Sequence, residues 1–285
     1  MPGAEARPFK GGIKMKKMFC FLFVFFLIFS AANINLAVDV ETEGKAITMT
    51  ILYDNYFHQK GGEGLIPHWG FACLIEGTEK TILFDTGTKS DVFLNNIKRS
   101  NVEPKKVESV VISHNHGDHT GGLLTFLGIN PKVSVYIPVS ASKEWAARIE
   151  KFKAKMIAVA QPLEICKGAW STGEIQGPFN EQSLIVDTAK GLVVITGCAH
   201  PNIAKIVEKS KTLRNKKIYM VFGGFHLMRK SDVQVKEIIK KFKELGVQKV
   251  GATHCTGDKA IQLFKDAYGK NYVPMGVGRI IKIDN

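Results

Sequence analysis

Hydrophobic and polar positions along the chain predict many short strands and a few amphipathic helices. Apolar runs of about four to eight residues, bounded by Gly, Asn, Asp or Ser, are typical of strands. Such runs predict strands over residues 46–53, 70–76, 80–85, 107–113, 133–137, 156–160, 163–166, 184–188, 192–196, 217–222, 248–253, 271–275 and 279–283. The runs on either side of Ala189-Lys190-Gly191 predict a hairpin. Residues 169–182 follow neither pattern and are expected to be irregular.

Helices are predicted where apolar residues recur every three or four positions. The clearest begins at Ser231 and is ended by Gly246. Its apolar face consists of Val235, Ile238, Ile239, Phe242 and Leu245. Further helices are predicted over 89–100, over 142–151, after Pro201, and over 259–268. This mixture of strands and helices indicates an α/β domain, and propensity supports no finer fold assignment.

The first 37 residues differ from the rest of the chain. Met15-Lys-Lys17 is basic, and the run of about 15 residues from Met18 to Ala32 is almost wholly apolar. Such a run is short for a membrane span and suits the core of a signal peptide. Residues 1–37 are therefore predicted to be a signal peptide or, alternatively, an uncleaved N-terminal anchor, with the folded domain at 38–285. We expect an exported protein, periplasmic or extracellular, that meets a membrane only through this segment if it is uncleaved.

The charge of the chain bears on what it binds, and its cysteine content bears on whether it contains disulfides. The formal net charge of the 285 residues is +13, which leaves an anionic substrate or a membrane surface open. The lysines are spread over predicted helices and turns, as in a solvated face, and no stretch interleaves basic and aromatic residues as nucleic-acid binding would require. We therefore expect a small-molecule substrate and no nucleic acid. The five cysteines show no CxxC pair, so no disulfide framework is predicted.

The densest chemistry lies at residues 114–119, His-Asn-His-Gly-Asp-His, directly after the predicted strand at 107–113. Imidazole nitrogens and carboxylate oxygens are ligands that suit Zn²⁺, Mn²⁺ or Fe²⁺. Because such ligands must be desolvated and deprotonated, packing them together is costly without a cation. His200, His226 and His254 each follow a predicted strand and adjoin Gly or Cys. The sequence therefore predicts a metal site.

The pattern His-x-His-x-Asp-His resembles the signature of the metallo-β-lactamase superfamily. The strand that ends in Asp85-Thr-Gly87, together with the segments 197–200, 223–226 and 253–257, resembles motifs of one subgroup. That subgroup includes proteins similar to the dihydropterin-linked ribofuranosylaminobenzene phosphate synthase of methanopterin biosynthesis. The resemblance covers roughly residues 46 to 282. It implies a four-layer αβ/βα sandwich with the site at one edge.

The resemblance also implies roles for the candidate residues. A first metal would be bound by His114, His116 and His200, and a second by Asp118, His119 and His254. His226 would contact the substrate or transfer a proton, although it could exchange roles with His254. Asp118 would also orient the nucleophile.

Two residues keep alternative interpretations. Asp85 either caps the following turn or orients a ligand histidine, and the second role is favoured. Cys198 stands where many relatives carry a bridging Asp. It is either a second-site ligand or a buried neighbour of the site, and the latter is slightly favoured.

The expected activity is that of a hydrolase, with two zinc ions and with manganese or iron as alternatives. A metal-bound hydroxide would attack a small ester, lactone, amide or phosphoester. The alternatives are a pterin-linked synthase, as in the resembling subgroup, or a non-catalytic metal- or ligand-binding protein. The predicted signal segment argues against the synthase, whose substrates are cytoplasmic.

Overall fold

In the computed structural model of the protein, residues 46–58 and 62–284 are described. They belong to one unit that spans Thr42–Asn285. The predicted signal segment at 1–37 lies outside the described residues. Within the described part of the chain, no helix has both the length and the apolar character that crossing a membrane requires.

The described residues form thirteen strands and seven α-helices. The strands are β1 (Ile47–Tyr53), β2 (Ala72–Glu76), β3 (Ile82–Phe84), β4 (Ser109–Val111), β5 (Ser134–Pro138), β6 (Lys155–Val159), β7 (Leu163–Cys166), β8 (Ala169–Ser171), β9 (Leu184–Thr188), β10 (Gly191–Thr196), β11 (Ile218–Gly224), β12 (Lys249–Thr253) and β13 (Ile280–Ile283). The helices are α1 (Ser90–Arg99), α2 (Gly117–Thr120), α3 (Leu123–Ile129), α4 (Val139–Glu150), α5 (Ile203–Arg214), α6 (Asp232–Glu244) and α7 (Asp258–Tyr268). Short 3₁₀ turns occupy Pro104–Lys106, His254–Thr256 and Gly269–Asn271.

The strands are arranged in two mixed sheets. The first has the order β13-β1-β2-β3-β4-β5-β6 and the second the order β12-β11-β10-β9-β8-β7. Strands β3 to β6 are mutually parallel, and so are β10 to β12. The remaining pairs are antiparallel, including the predicted β9–β10 hairpin, in which Thr188 pairs with Gly191.

Along each strand, successive side chains point to opposite faces of the sheet, and this alternation separates the layers of the core. In β1, Met49 and Ile51 pack between the two sheets, whereas Leu52 packs outward with α1, α3 and α4. In β10, Val193 and Ile195 join the layer between the sheets, whereas Leu192 and Val194 face α5, α6 and α7. Because each sheet is apolar on both faces, each needs a covering layer on both sides. The result is the four-layer αβ/βα sandwich.

Most predicted elements are confirmed, and three predictions are wrong. Residues 271–275 form no strand, since Pro274 cannot donate to a ladder, and only an isolated bridge joins Tyr272 to Val250. Residues 169–182 are not wholly irregular, because β8 pairs with β7 and β9. Helix α4 begins at Val139, ahead of the predicted start at 142.

The topology brings the candidate residues to one edge. In the first sheet, the parallel strand β3 ends just before Asp85, and β4 ends just before the 114–119 cluster. In the second sheet, β10 ends just before the segment 198–200, β11 before His226 and β12 before His254. Ligands in α/β proteins bind outside the carboxyl ends of such strands. Both sheets therefore contribute residues to the same site.

Candidate metal centre

The first group of convergent side chains, here called the first set, consists of His114, His116 and His200. His114 Nε2 lies 3.0 Å from His116 Nδ1, and His200 Nε2 lies 3.2 Å from the same atom. One ligand atom from each residue lies within 4.8 Å of the others. His114 is buried, and the other two are half-buried. The structure thus brings together the three residues predicted for the first metal.

The second set consists of Asp118, His119, Cys198 and His254, whose ligand atoms also lie within 4.8 Å of one another. His119 Nε2 lies 3.2 Å from Cys198 Sγ and 3.7 Å from Asp118 Oδ2. His254 Nε2 lies 3.4 Å from the same carboxylate oxygen. The three residues predicted for the second metal are therefore grouped, and Cys198 joins them.

The donor atoms fit divalent cations. His254 Nε2 is buried and has no hydrogen-bond partner among the described residues, which is costly unless a ligand satisfies it. The N···N spacings in the first set are close to the roughly 3.3 Å expected between two nitrogens bound at about 2.05 Å in tetrahedral geometry. His, Cys and Asp are also the side chains that bind zinc. The residues of both sets could hold a metal.

The electrostatic environment differs between the sets. Burial lowers the pKa of His114 well below its ordinary value and that of His200 to about 3, so both imidazoles are neutral and offer lone pairs. Burial also lowers the pKa of His119, but the nearby carboxylates, Asp85 foremost and then Asp118 and Glu181, together outweigh it and raise the pKa to about 9. A cation at the second set would therefore displace a proton from His119.

Asp85 is fully buried and bonds to residues far along the chain. Its Oδ2 accepts hydrogen bonds from His119 Nδ1 and from the Ser113 hydroxyl, both at 2.7 Å. Its Oδ1 accepts one from the Ser113 backbone N–H at 2.7 Å. These bonds orient His119 so that Nε2 faces the second set. The geometry supports the orienting role of Asp85 over that of a turn cap.

Comparison with known proteins identifies the family. A model of the Metallo-beta-lactamase superfamily matches residues 70–210. The chain is also 31% identical over 271 residues to the 7,8-dihydropterin-6-methyl-4-(beta-D-ribofuranosyl)-aminobenzene-5'-phosphate synthase of Methanocaldococcus jannaschii, an alignment that covers 76% of this chain and 91% of that protein. The chain belongs to the metallo-β-lactamase superfamily.

Two further proteins are similar over most of the domain. An uncharacterized protein of Methanocaldococcus jannaschii is 32% identical over 264 residues, which cover 82% of this chain and 99% of that one. The crystal structure of Tm1679, a metal-dependent hydrolase of the β-lactamase superfamily, matches with a TM-score of 0.70 and 28% identity, covering 84% of this chain and 100% of that chain. The superfamily and the fold expected from the sequence motifs are both confirmed.

In this superfamily member, His226 lies beside the two sets. Its ring centroid is 4.3 Å from that of His200, and its ligand atom is within 4.8 Å of those of His200 and Cys198. The side chain is exposed, whereas His254 is fully buried. The structure therefore groups His254 with the second set and leaves His226 on the solvent side.

Glu181 is a site residue that the sequence reasoning missed. It is fully buried, and its carboxylate accepts hydrogen bonds from the backbone N–H groups of Cys198, Ala199 and His200 at 2.9, 2.8 and 2.9 Å. Burial raises its pKa to about 7, although these bonds oppose the shift. Ala199, between the candidate ligands Cys198 and His200, has a positive φ of 61°, a conformation that a residue with a Cβ rarely adopts. The three hydrogen bonds to the Glu181 carboxylate hold this turn in place.

Trp69 and Asn55, in the segment before β2, were also missed. The Trp69 indole Nε1 donates to Asp118 Oδ2 at 2.8 Å. Asn55 Oδ1 lies 2.9 Å from His254 Nδ1. The segment before β2 thus contacts the second set through these two side chains, while its two histidines, His58 and His68, do not join it. His68 Nδ1 lies 3.0 Å from the Tyr53 hydroxyl, and His58 Nε2 lies 3.4 Å from Arg279.

A cavity of about 400 Å³ adjoins the first set. Its lining residues are His114, Asn115, His116, Ser140, Ala141, Pro178, Phe179 and Asn180. Phe179 is 53% exposed, and its ring lies 4.3 Å from that of His116. Trp170, the other aromatic residue of residues 169–182, packs under Arg214 instead. None of the lining residues is Lys or Arg.

Proposed function

We propose that the protein is a dinuclear metal-dependent hydrolase acting on a small, uncharged ester, lactone, thioester or amide. The observation that carries the proposal is the contact between the two ligand sets. The ring centroids of His114 and His119, one from each set, lie 4.3 Å apart. Two adjoining cations can act on one water molecule and on the bond that it attacks.

Zinc is the cation that the donor atoms favour. A thiolate such as that of Cys198 selects zinc over manganese or magnesium, and imidazole suits zinc as well. The first set offers three neutral imidazoles, whereas the second adds the Asp118 carboxylate and the Cys198 thiol. Burial raises the pKa of Cys198, so this thiol would lose its proton only when a cation binds. When bound, the cations would lower the pKa of water and polarise the electrophilic carbonyl.

The protein's own residues would do the remaining work. The Asp118 carboxylate lies among the second-set donors, and its other oxygen, Oδ1, can accept a hydrogen bond that orients water. Asp85 keeps His119 in the tautomer whose Nε2 is free to bind. The exposed imidazole of His226, beside His200, is placed to give a proton to a leaving group on the solvent side.

The cavity supports the choice of an uncharged substrate. Its polar walls are already paired: Asn115 Nδ2 donates to Glu144 Oε2 at 2.6 Å, and Asn180 Nδ2 donates to Glu174 Oε1 at 2.8 Å. Two carboxylates lie behind these amides, and no Lys or Arg is among the lining residues, so apart from the proposed cation at His114 and His116 the cavity wall offers no positive charge to an anionic substituent. The exposed Phe179 ring offers an apolar surface instead.

A second candidate, synthesis of a pterin-linked compound, is favoured by one observation. The relative that is 31% identical over 91% of its length is named as such a synthase. The product in that name carries a phosphate group, for which the cavity offers no cationic side chain. Tm1679, which is 28% identical, is described as a metal-dependent hydrolase.

A panel assay tests the proposal. Protein reconstituted with Zn²⁺ would be offered a lactone, a carboxylic ester, an N-acetylcysteamine thioester and p-nitrophenyl phosphodiester, with the His116→Ala variant as control. We expect metal-dependent turnover of at least one carbonyl substrate, reduced by about two orders of magnitude or more in the variant. Turnover of none, combined with formation of the relative's named product from suitable precursors, would replace this proposal by the synthase.

A further inference from the structure

Trp69 is an aromatic side chain that packing does not explain. It precedes β2, and its side chain is 41% exposed, whereas Trp145 is only 3% exposed. The indole nevertheless makes two specific contacts. Its Nε1 donates to Asp118 Oδ2 at 2.8 Å, and its ring lies 4.9 Å from that of His254, tilted by 53°.

Both contacts fall on the second set. Within the described residues, Trp69 makes no hydrogen bond or ring contact with His114, His116 or His200. The oxygen that accepts from the indole is also the one nearest to His119 Nε2 and His254 Nε2. A carboxylate oxygen has two lone-pair sites, so Oδ2 can accept from the indole and still bind a cation.

The backbone fixes Trp69 against Asp118 as well. The N–H of Phe71 donates to the Asp118 carbonyl at 3.2 Å, and the Thr88 hydroxyl donates to the Trp69 carbonyl. Gly70, between Trp69 and Phe71, has a φ of +139°, and a Cβ at this position would lie 2.6 Å from the Asp118 carbonyl oxygen. Segment 69–71 therefore holds Asp118 by its main chain and by its side chain.

We infer that Trp69 is a positioning residue for the second metal, fixing the Asp118 carboxylate as a ligand and thereby setting the affinity of that site. Asp118 lies in the short helix α2, and its side chain is 19% exposed. Without the indole it can rotate toward water. The inference rests on the proposed two-metal site, and it concerns the second cation only.

Cobalt titration provides a readout of the second set. Cys198 is the sulfur donor among the residues of the two sets, so a sulfur-to-cobalt charge-transfer band reports Co²⁺ bound at Cys198 once its thiol has lost its proton. Because Cys198 Sγ also lies within 4.8 Å of the ligand atoms of His200 and His226, calorimetry is used beside the band to count the equivalents. Trp69→Phe keeps the ring and removes the N–H. We expect the Co²⁺ concentration that half-saturates the band to rise roughly 10- to 100-fold, while calorimetry shows an unchanged first equivalent.

Trp170→Phe is the matched control, because Trp170 packs under Arg214 and not at the site. A Trp69→Phe protein that titrates like the wild type and like this control would overturn the inference and leave the two-metal site standing. Binding of a single equivalent of Co²⁺ by the wild type, as counted by calorimetry, would overturn both.

A second measurement leaves Trp69 in place. In a Trp145→Phe/Trp170→Phe protein, Trp69 is the sole tryptophan of the 285 residues. We expect its emission to change in step with the second equivalent of Zn²⁺ and not with the first. A change that follows the first equivalent, or no change with either, would contradict the inference.

Discussion

At the residue scale, the position of one proton decides what His119 can do. Asp85 Oδ2 accepts a hydrogen bond from His119 Nδ1 at 2.7 Å, so the Nδ1 proton is retained and the proton that a cation displaces is the one on Nε2. The same carboxylate also accepts both bonds from Ser113. A buried acid thus acts on the second set without belonging to it.

Asp85→Asn tests this arrangement with little change in volume. The Asn oxygen can keep the bond from the Ser113 N–H, which places its NH₂ against His119 Nδ1. His119 would then carry its proton on Nε2 and could not bind a cation. We predict that metal analysis will find the second equivalent of zinc lost or weakened roughly 10- to 100-fold, with the first retained. Two full equivalents at wild-type affinity would contradict the tautomer argument.

Some site residues could be predicted from the sequence, and others could not, for a physical reason. His200 and His254 follow apolar strands, and strand ends of parallel sheets converge. Glu181 and Trp69 act through contacts with residues 17–19 and 49 positions away, and nothing in their sequence neighbours marks them. The sequence left open whether Cys198 is a metal ligand or a buried neighbour of the site. The distance from its Sγ to the other candidate ligands decides between the two, and the sequence does not give this distance.

At the element scale, boundary signals predicted helices better than they predicted strands. Ser231 begins α6 with a reciprocal capping box with Gln234, as the sequence predicted for the start of this helix. Around 271–275 the apolar residues Tyr272 and Met275 are buried, but burial does not require a ladder. The apolar pattern of residues 271–275 thus indicated correctly that side chains are buried there, but it did not indicate correctly that the segment is a strand.

The cap of α6 gives a prediction at this scale. Ser231→Ala removes the side-chain acceptor of the Gln234 N–H, and we expect a loss of about 1 kcal/mol in the free energy of unfolding. Urea denaturation measures this loss. Because Ser231 lies outside both ligand sets, zinc binding should be unchanged. A loss of zinc in this variant would show that α6 and the metal centre are coupled.

At the scale of the whole molecule, the ligand sets join the two sheets. His116 and Asp118 follow a strand of the first sheet, whereas His200 and His254 follow strands of the second. A cation bound at either set therefore links both halves of the sandwich. Metal binding and folding are expected to be coupled.

Metal removal should lower the stability of the whole domain. At free zinc about 1,000-fold above the dissociation constant, binding stabilises the folded state by roughly 4 kcal/mol, which corresponds to roughly 10 °C in Tm for a domain of this size. Calorimetry of zinc-loaded and chelator-treated protein measures the difference. Equal Tm values would mean that the convergent donors hold no metal in solution.

The N-terminal segment carries a proposal of its own. We propose that residues 1–37 direct export, on the strength of the basic start at Met15-Lys-Lys17 and the apolar run that follows. Expression of the full chain in a bacterial host, with N-terminal sequencing of the exported product, tests this. A mature start near residue 33 or 38 is expected. An uncleaved chain in the membrane fraction would favour the anchor, and an uncleaved chain in the cytoplasm would contradict export.

The most direct test of the two-metal centre is anomalous diffraction at the zinc absorption edge from crystals of the zinc-loaded protein. A two-metal centre gives two adjacent peaks. One lies among His114, His116 and His200, and the other lies among Asp118, His119, Cys198 and His254. A single peak, or peaks bound by other residues, would contradict the two-metal centre on which the proposed hydrolase depends.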